Sequence, residues 1–432
     1  MNEWKETEIG LMPTNWQEYT IDDLIENIID NRGKTPPPAT NGYKLLETYQ
    51  VSVDKIFPMY DDTQQKYVSE ATYKTWFRSG HPQQDDILFT TVGERVPQFC
   101  LVDKTLICIA QNLIALRVNK KIVNPLYLLN YFRQEKFIKQ VKNILLTTAQ
   151  PSVKVPHLLA LRIYLPSTDY QDKISQLLSC LDNKIDNLRR QNETLEKIAQ
   201  TLFKHWFIDF EFPKDDGKPY KSSGGAMVAS ELGDIPEGWC VGKLENFCTV
   251  FRGSSPRPIS SPVFFKNGNI PWIKIADATR SNSIYLSETR EHCTEAALPY
   301  TRLLKKGSLI LSNSATIGVP MILNLEGCIH DGWLSFKDYK LITRNFLFFI
   351  LVNKLSFLIQ YADGSVQKNL NIGILNNMDF ILPNLKIINK FTNFSQSIFD
   401  KILSNEKQIQ TLTKTRDTLL PKLMSGQIRV KD

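Results

Sequence analysis

The sequence predicts an α+β chain built twice: two tandem globular domains, each followed by a long helix, the two helices pairing as an antiparallel coiled coil with pseudo-twofold symmetry. Three observations predict it. Segments recur at a nearly fixed offset, a heptad pattern appears at the end of each copy, and short β-rich runs between turn signals fill the rest. At 432 residues the chain is also too long for one ordinary core.

The first domain, residues 1 to 168, opens with "EIGLMPTNW" (8 to 16), which returns as "ELGDIPEGW" (231 to 239) at the head of the second domain, residues 230 to 385. Pro13 matches Pro236 at an offset of 223 (236 minus 13). "RGKTP" (32 to 36) then matches "RGSSP" (252 to 256), and "CIAQNLIAL" (108 to 116) matches "CIHDGWLSF" (328 to 336), at an offset of 220 (252 minus 32). From "TTAQPSVKVPHLLALRIYLP" (147 to 166) against "GSVQKNLNIGILNNMDFILP" (364 to 383) the offset is 217 (364 minus 147) and stays there. Runs such as "DILFTTVG", "LICIAQNLIALRV" and "GSLILSNSATIG" read as strands, and "PLYLLNYFRQEKFIKQV" and "RNFLFFILVNKLSFLIQYA" as one helical stretch per copy.

Residues 169 to 212 form the central helix. Ile174, Leu178, Leu181, Ile185, Leu188, Asn192, Leu195, Ala199 and Leu202 alternate by four and three, the a/d seam of a coiled coil. Adding 217 gives Phe391, Ser395, Ile398, Ile402, Asn405, Ile409, Leu412, Arg416 and Leu419 in the C-terminal helix, residues 386 to 424. A one-residue insertion would turn such a seam away from its partner, which explains the constant offset. From Gln171 to Phe207 the helix would be about 55 Å long, the length of a spacer. Each helix follows its own domain, so the pairing is expected to be antiparallel. Ser395 and Arg416 interrupt the second seam, so the C-terminal helix is expected to pack more loosely or to lean on a partner. Asn192 and Asn405 are expected to fix register. Between the copies "FPKDDGKPYKSSGGAMVAS" reads as a linker, assigned to residues 213 to 229, and residues 425 to 432 form a tail.

The composition, 42% hydrophobic and 22% charged, is that of a globular protein, and the net charge of +7 fits a polyanion partner without demanding one. Seven scattered cysteines show neither C-x-x-C nor zinc spacing and read as reduced, mostly buried thiols. The polar start "MNEWKETEIG" is no signal peptide and "NFLFFILV" is too short to cross a bilayer, so a cytoplasmic location without membrane contact is expected.

No catalytic motif is complete. "NRGKT" (31 to 35) has Ile28 where a phosphate-binding loop needs glycine, and Pro36, Pro37 and Pro38 stand where its helix should begin. "NPLY" (124 to 127) lacks the second proline of the N-P-P-Y signature of amino-methyltransferases, and Pro125 suits a first helical turn. Acidic pairs such as Asp85 and Asp86 fit solvated turns, and no metal-binding pattern occurs.

"TLFKHWFIDFEFP" closing the first helix, "KPYKSSGGAMVASELGDIPEGW" after it and "LLPKLMSGQIRV" at the C-terminus resemble the conserved regions of the specificity subunits of type I restriction-modification systems. The resemblance covers the whole chain. It implies a subunit without catalysis, in which each globular part is a target-recognition domain reading one half of a bipartite, asymmetric site in double-stranded DNA and the helices set the spacing. It also implies two modification (methyltransferase) subunits, which bind S-adenosylmethionine so that this chain needs no cofactor, and restriction (motor-nuclease) subunits. Two domains that read different bases are expected to share a scaffold and differ in loops. On that basis Arg32, Lys34, Arg252 and Arg257 are candidates for phosphate or guanine contacts, and Gln111, Asn112 and Asn313 for adenine edges. Thr90, Thr91, Arg95, Ser254, Lys274, Ser314, Thr316, His330 and Asp331 complete the candidate DNA contacts. Two alternatives stay open: a self-sufficient fused DNA methyltransferase using "NPLY", and a coiled-coil scaffold with no DNA role.

Overall fold

A computed structural model describes residues 4–7, 10–61, 63–145, 150–279, 281, 283–314, 316–363 and 369–430. Parts of the repeat segments 147 to 166 and 364 to 383 therefore lie outside the described residues, as do Glu8, Ile9 and Ala315. The chain forms two compact units, residues 1–187 with 408–432, and residues 188–407. Each unit takes part of both long helices, so neither coincides with one sequence repeat.

In the first unit an antiparallel sheet runs in the order Ile25–Ile29, Leu113–Val118, Ile87–Thr90, Phe99–Leu101. Every residue of Ile87–Thr90 is buried, which is why this stretch reads as a continuous apolar run rather than an alternating one. In a second, three-stranded sheet Tyr43–Leu46 pairs antiparallel with Lys66–Val68 and parallel with Ile107–Ile109. The core carries Phe89, Phe99, Phe132 and Phe137, the last two stacked with ring centroids 4.4 Å apart. Helix Pro125–Phe132 starts where Pro125 pre-sets the first turn and Asn124 Oδ1 accepts the Leu126 and Tyr127 N–H groups over 2.8 and 3.2 Å.

The second unit repeats the plan. Its larger sheet runs Thr249–Arg252, Trp333–Lys337, Leu309–Ser312, Pro320–Leu323, Tyr285–Leu286. In its smaller sheet Ile270–Ile273 pairs parallel with Gly327–Ile329 and antiparallel with Glu291–Cys293, the same arrangement around the equivalent strand. The hairpin of Trp4–Thr7 with Gly10–Pro13 recurs as Met227–Ser230 with Gly233–Pro236, including the hydroxyl of Thr7 or Ser230 donating to the carbonyl of Gly10 or Gly233 over 2.5 Å. The second copy therefore begins inside the stretch that reads as a linker, whose short strand has too few residues to show a period.

The long helices are Thr168–Phe207 and Leu385–Met424. Ile174, Leu178, Ile185, Leu188, Asn192, Phe391, Ile398, Ile402, Asn405 and Ile409 are buried, and Leu181, Leu195, Leu202, Leu412 and Leu419 are half-buried. In the first unit Leu178 shares a core with Leu420, Leu423 and Met424. In the second, Asn192 meets Asn405 and Phe203 meets Phe391 with ring centroids 5.5 Å apart. Numbers rise on one helix as they fall on the other, so the pairing is antiparallel. The two interruptions of the second seam are not loose. Ser395 is fully buried and its Oγ accepts from Asn345 Nδ2 over 3.3 Å, while Arg416 Nη1 donates to Asp182 Oδ1 over 2.8 Å. Polar positions in a seam pack tightly when a buried partner answers each one.

Candidate DNA interface

Three loops meet at the end of the larger sheet of the first unit. The Thr91 N–H donates to the Asn112 carbonyl over 2.8 Å, and Gln111 Nε2 donates to Thr35 Oγ1 over 2.6 Å. These bonds join the loop after Ile25–Ile29, the loop after Ile87–Thr90 and the turn at 110 to 112. A fourth segment closes the group, with the Val153 N–H donating to the Thr91 carbonyl over 2.9 Å.

The second unit assembles the same group from equivalent positions. The Asn313 N–H donates to the Gly332 carbonyl over 2.9 Å, the Leu370 N–H to the Asn313 carbonyl over 2.9 Å, and Ser255 Oγ to Asp331 Oδ1 over 2.9 Å. Asn112 sits at φ +62°, in the left-handed region that asparagine tolerates. At Gly253 a Cβ would lie 2.1 Å from the His330 carbonyl oxygen, so only glycine lets the two loops close.

Burial removes three candidates from DNA contact. Thr90, Thr91 and Asn313 are 2%, 0% and 1% exposed. Thr90 Oγ1 accepts the Gln98 N–H over 2.8 Å, the Thr91 backbone bonds hold two loops together, and Asn313 Nδ2 donates to the Asp331 carbonyl over 3.1 Å. They are scaffold. His330 also turns inward: its Nδ1 lies 2.7 Å from the Gly332 nitrogen and its Nε2 3.2 Å from that of Ile275. Burial lowers its pKa against the opposing pull of Asp331, which favours the neutral ring, whose single unprotonated nitrogen can accept from one of these two N–H groups.

The remaining candidates reach solvent. Lys34, Arg95, Gln111, Asn112, Arg252, Arg257 and Thr316 are exposed, and Arg32, Ser254, Lys274 and Ser314 are half-buried. Arg32 grips Asp30 by a two-point pair, Nη2 to Oδ2 at 2.6 Å and Nε to Oδ1 at 2.9 Å, which holds the Asp30 carboxyl below its ordinary pKa. Lys274 Nζ pairs with Glu291 Oε1 at 2.6 Å, and Ser254 Oγ donates to the Tyr300 carbonyl over 2.8 Å. The Thr316 carbonyl accepts the Ser312 hydroxyl. Arg252 Nε donates to the Asp331 carbonyl over 2.6 Å, and Arg257 Nη2 pairs with Asp331 Oδ2 at 3.1 Å. Burial alone would raise the Asp331 carboxyl, but the Ser255 hydroxyl, His330 and Arg257 bring its pKa below the ordinary value.

Two cations escape the sequence reading. Arg78 is exposed and donates from Nη2 to the Arg32 carbonyl over 3.0 Å, although 46 positions separate them, and exposed Lys154 follows the Val153 contact. No local pattern marks either. With Arg32, Lys34 and Arg95 they give the first unit's loop group a basic character suited to phosphate. Among the described residues no group of three His, Cys, Asp or Glu is placed to hold a metal ion, and no helix is long and apolar enough to cross a membrane.

The model of the type I restriction modification DNA specificity domain matches residues 13–197 and again 236–419. The specificity subunit of the type I restriction enzyme MjaIX of Methanocaldococcus jannaschii is 28% identical over 100% of this chain and 97% of its own length. That of the HindI enzyme of Haemophilus influenzae is 22% identical over 96% of this chain and 100% of its own. The crystal structure of a type I S subunit from M. genitalium shares the fold, with a TM-score of 0.54 at 14% identity over 95% of this chain and 96% of that one. Two matches of one family model, falling on the two halves that repeat the same sheets and the same loop contacts, place this chain in the type I restriction-modification specificity subunit family.

Proposed function

We propose that each repeat of this type I specificity subunit reads one half of a bipartite, asymmetric DNA site, and that the paired helices set the distance between the halves and dock two modification subunits. The subunit recognises DNA, carries no catalysis of its own and works with modification and restriction subunits. The functional segments follow the repeat: recognition domains at 1 to 168 and 230 to 385, spacer helices at 169 to 212 and 386 to 424, a linker at 213 to 229 whose last residues already belong to the opening strand of the second copy, and a tail at 425 to 432. S-adenosylmethionine belongs to the modification subunits, and the complex works on DNA in the cytoplasm.

One observation carries the reading. The contact of position 35 with 111 returns as 255 with 331, so the scaffold is kept while Thr and Gln become Ser and Asp. A scaffold repeated with altered surface chemistry is what two readers of different base sequences require. The fused-methyltransferase alternative loses its motif, because Asn124 is engaged in capping a helix and in donating from Nδ2 to Asp172 Oδ1 over 2.7 Å.

The test is methylome sequencing of a host carrying this chain and its modification subunit. A split motif is expected, and Arg257→Ala is expected to alter one half alone. A continuous motif, or one in which that variant disturbs both halves, would overturn the proposal.

A further inference from the structure

Asp331 places a negative charge on a face that is to meet a polyanion, where an idle carboxylate would weaken binding. It is not idle. Its Oδ2 takes Arg257 Nη2 at 3.1 Å, its Oδ1 takes Ser255 Oγ at 2.9 Å, and its carbonyl takes Arg252 Nε at 2.6 Å and Asn313 Nδ2 at 3.1 Å. Its own backbone is fixed by the turn around His330 and Gly332, where the Gly332 N–H meets the His330 ring at 2.7 Å. One residue on a braced turn thus grips both arginines of the facing loop. Yet the Arg257 side chain remains 70% exposed, so most of its guanidinium still faces solvent.

We propose that Asp331 is a positioning residue for DNA reading: it presets Arg257 and Arg252, so that the second domain presents an oriented guanidinium to a base edge and does not read DNA through Asp331 itself. The chemistry favours this. An exposed arginine is rich in rotamers, and ordering it on binding costs conformational entropy. A carboxylate already holding one edge lowers that cost and restricts the directions in which the free edge can donate. Guanine, with O6 and N7 acceptors, is the base such an edge suits. The first unit solves the same problem from another direction, since Arg32 is braced by Asp30 within its own loop while uncharged Gln111 occupies the position of Asp331.

The inference rests on the reading that this domain contacts DNA, and one experiment separates the two. The full chain, purified with its modification subunit, is used to select from a library of randomised duplexes. If the wild-type complex enriches no sequence, the DNA-reading proposal fails and this one with it. Once a motif is in hand, Asp331→Asn, Arg257→Ala and the double variant are titrated with the selected duplex and with duplexes altered in one half. Asp331→Asn is expected to leave affinity for unrelated duplex unchanged or raise it a few-fold, because a negative charge is lost. Discrimination is expected to fall about tenfold at one or two positions of one half-site, the scale of a bidentate base contact. The other half is the internal control. In the Arg257→Ala background the same change is expected to add no further loss. Unchanged discrimination, an equal loss on every sequence, or full additivity with Arg257→Ala would each overturn the proposal, the last by showing that Asp331 touches DNA directly. If Asp331→Asn fails to fold, Ser255→Ala loosens the carboxylate without removing charge, and a smaller loss in the same half-site is expected.

Discussion

Asn405 donates from Nδ2 to Asn192 Oδ1 over 2.8 Å, and Asn192 passes its own Nδ2 to Glu406 Oε1 over 2.8 Å. Both asparagines are buried, at 0% and 3% exposure, at seam positions of the two long helices. An amide in such a seam is satisfied only where the opposite helix presents another polar group. In a register slipped by one seam position it faces an apolar residue such as Leu188, Leu195, Ile402 or Ile409 and loses its bond, so the pair favours one register at some cost in stability.

Asn405→Leu leaves Asn192 Oδ1 without its donor inside the seam and is expected to destabilise the second unit by about 1–3 kcal/mol. The double variant Asn192→Leu, Asn405→Leu removes both amides and is expected to recover much of that stability while losing uniqueness of register. Denaturant unfolding measures the first effect and size-exclusion chromatography with light scattering the second. A double variant as unstable as the single one would show that the amides act separately.

The seams were legible because a 3.5-residue period survives any change of neighbours, and the repeat was legible because a packed helix rejects insertions that loops accept. Tertiary partners were not. The parallel pairing of Tyr43–Leu46 with Ile107–Ile109 joins segments with no local signature, and Thr90, Thr91 and Asn313 look like loop residues until the sheet end closes over them. Arg416 read as an interruption because its answer, Asp182, lies on the other helix one position from Leu181. A charge at a seam position aligned with Ala199 was the available signal, since a buried cation requires a buried acid.

That acid is shared. Asp182 meets Arg416 Nη1 through Oδ1 and Arg133 Nη1 through Oδ2, both at 2.8 Å, and its side chain is 7% exposed. Burial lowers the Arg133 pKa, while for Arg416 the bonds to Asp182 and Asp417 outweigh burial and raise it. Asp182→Ala leaves two guanidiniums buried together without their common counter-charge, and a loss of roughly 3–5 kcal/mol is expected. Thermal unfolding of the full chain checks it. A loss below about 1 kcal/mol would mean that water or Asp417 serves both arginines.

Glu196 lies in the same helix pair, in the second unit. Burial raises its carboxyl from 4.5 to about 7, with help from Glu406 and Glu193, and burial also raises Glu406 although Asn192 and Ser283 bond to it. A raised folded pKa means that the folded chain holds the proton more tightly than the unfolded one. The stability this contributes is present in full below about 4.5 and is lost as pH rises through about 7. Glu196→Gln cannot ionise and is expected to flatten the fall in unfolding midpoint between those values. A wild-type midpoint that rises steadily over this window, unchanged by the variant, would count against a protonated Glu196.

In the first domain base reading and phosphate binding fall to different side chains. Gln111 is exposed, and its Nε2 bond to Thr35 leaves its Oε1 to be offered to DNA. Asn112 is exposed in a turn at φ +62°, so Asn112→Ala would mix lost chemistry with backbone strain, whereas Asn112→Gly removes the amide and keeps the turn. Gln111→Ala with Asn112→Gly is therefore expected to relax the methylated motif at one or two positions of one half-site, a loss of roughly 1–3 kcal/mol of discrimination, with the other half intact. Exposed Lys34 is taken as a phosphate contact, and on that basis Lys34→Ala is expected to weaken binding to every duplex and to lower the salt dependence by about one charge. Methylome sequencing reads the first outcome and binding titrations across salt concentrations read the second. Equal weakening on all sequences by both variants would show that the 110 to 112 turn only grips the backbone and that base reading in this domain lies in the neighbouring loops.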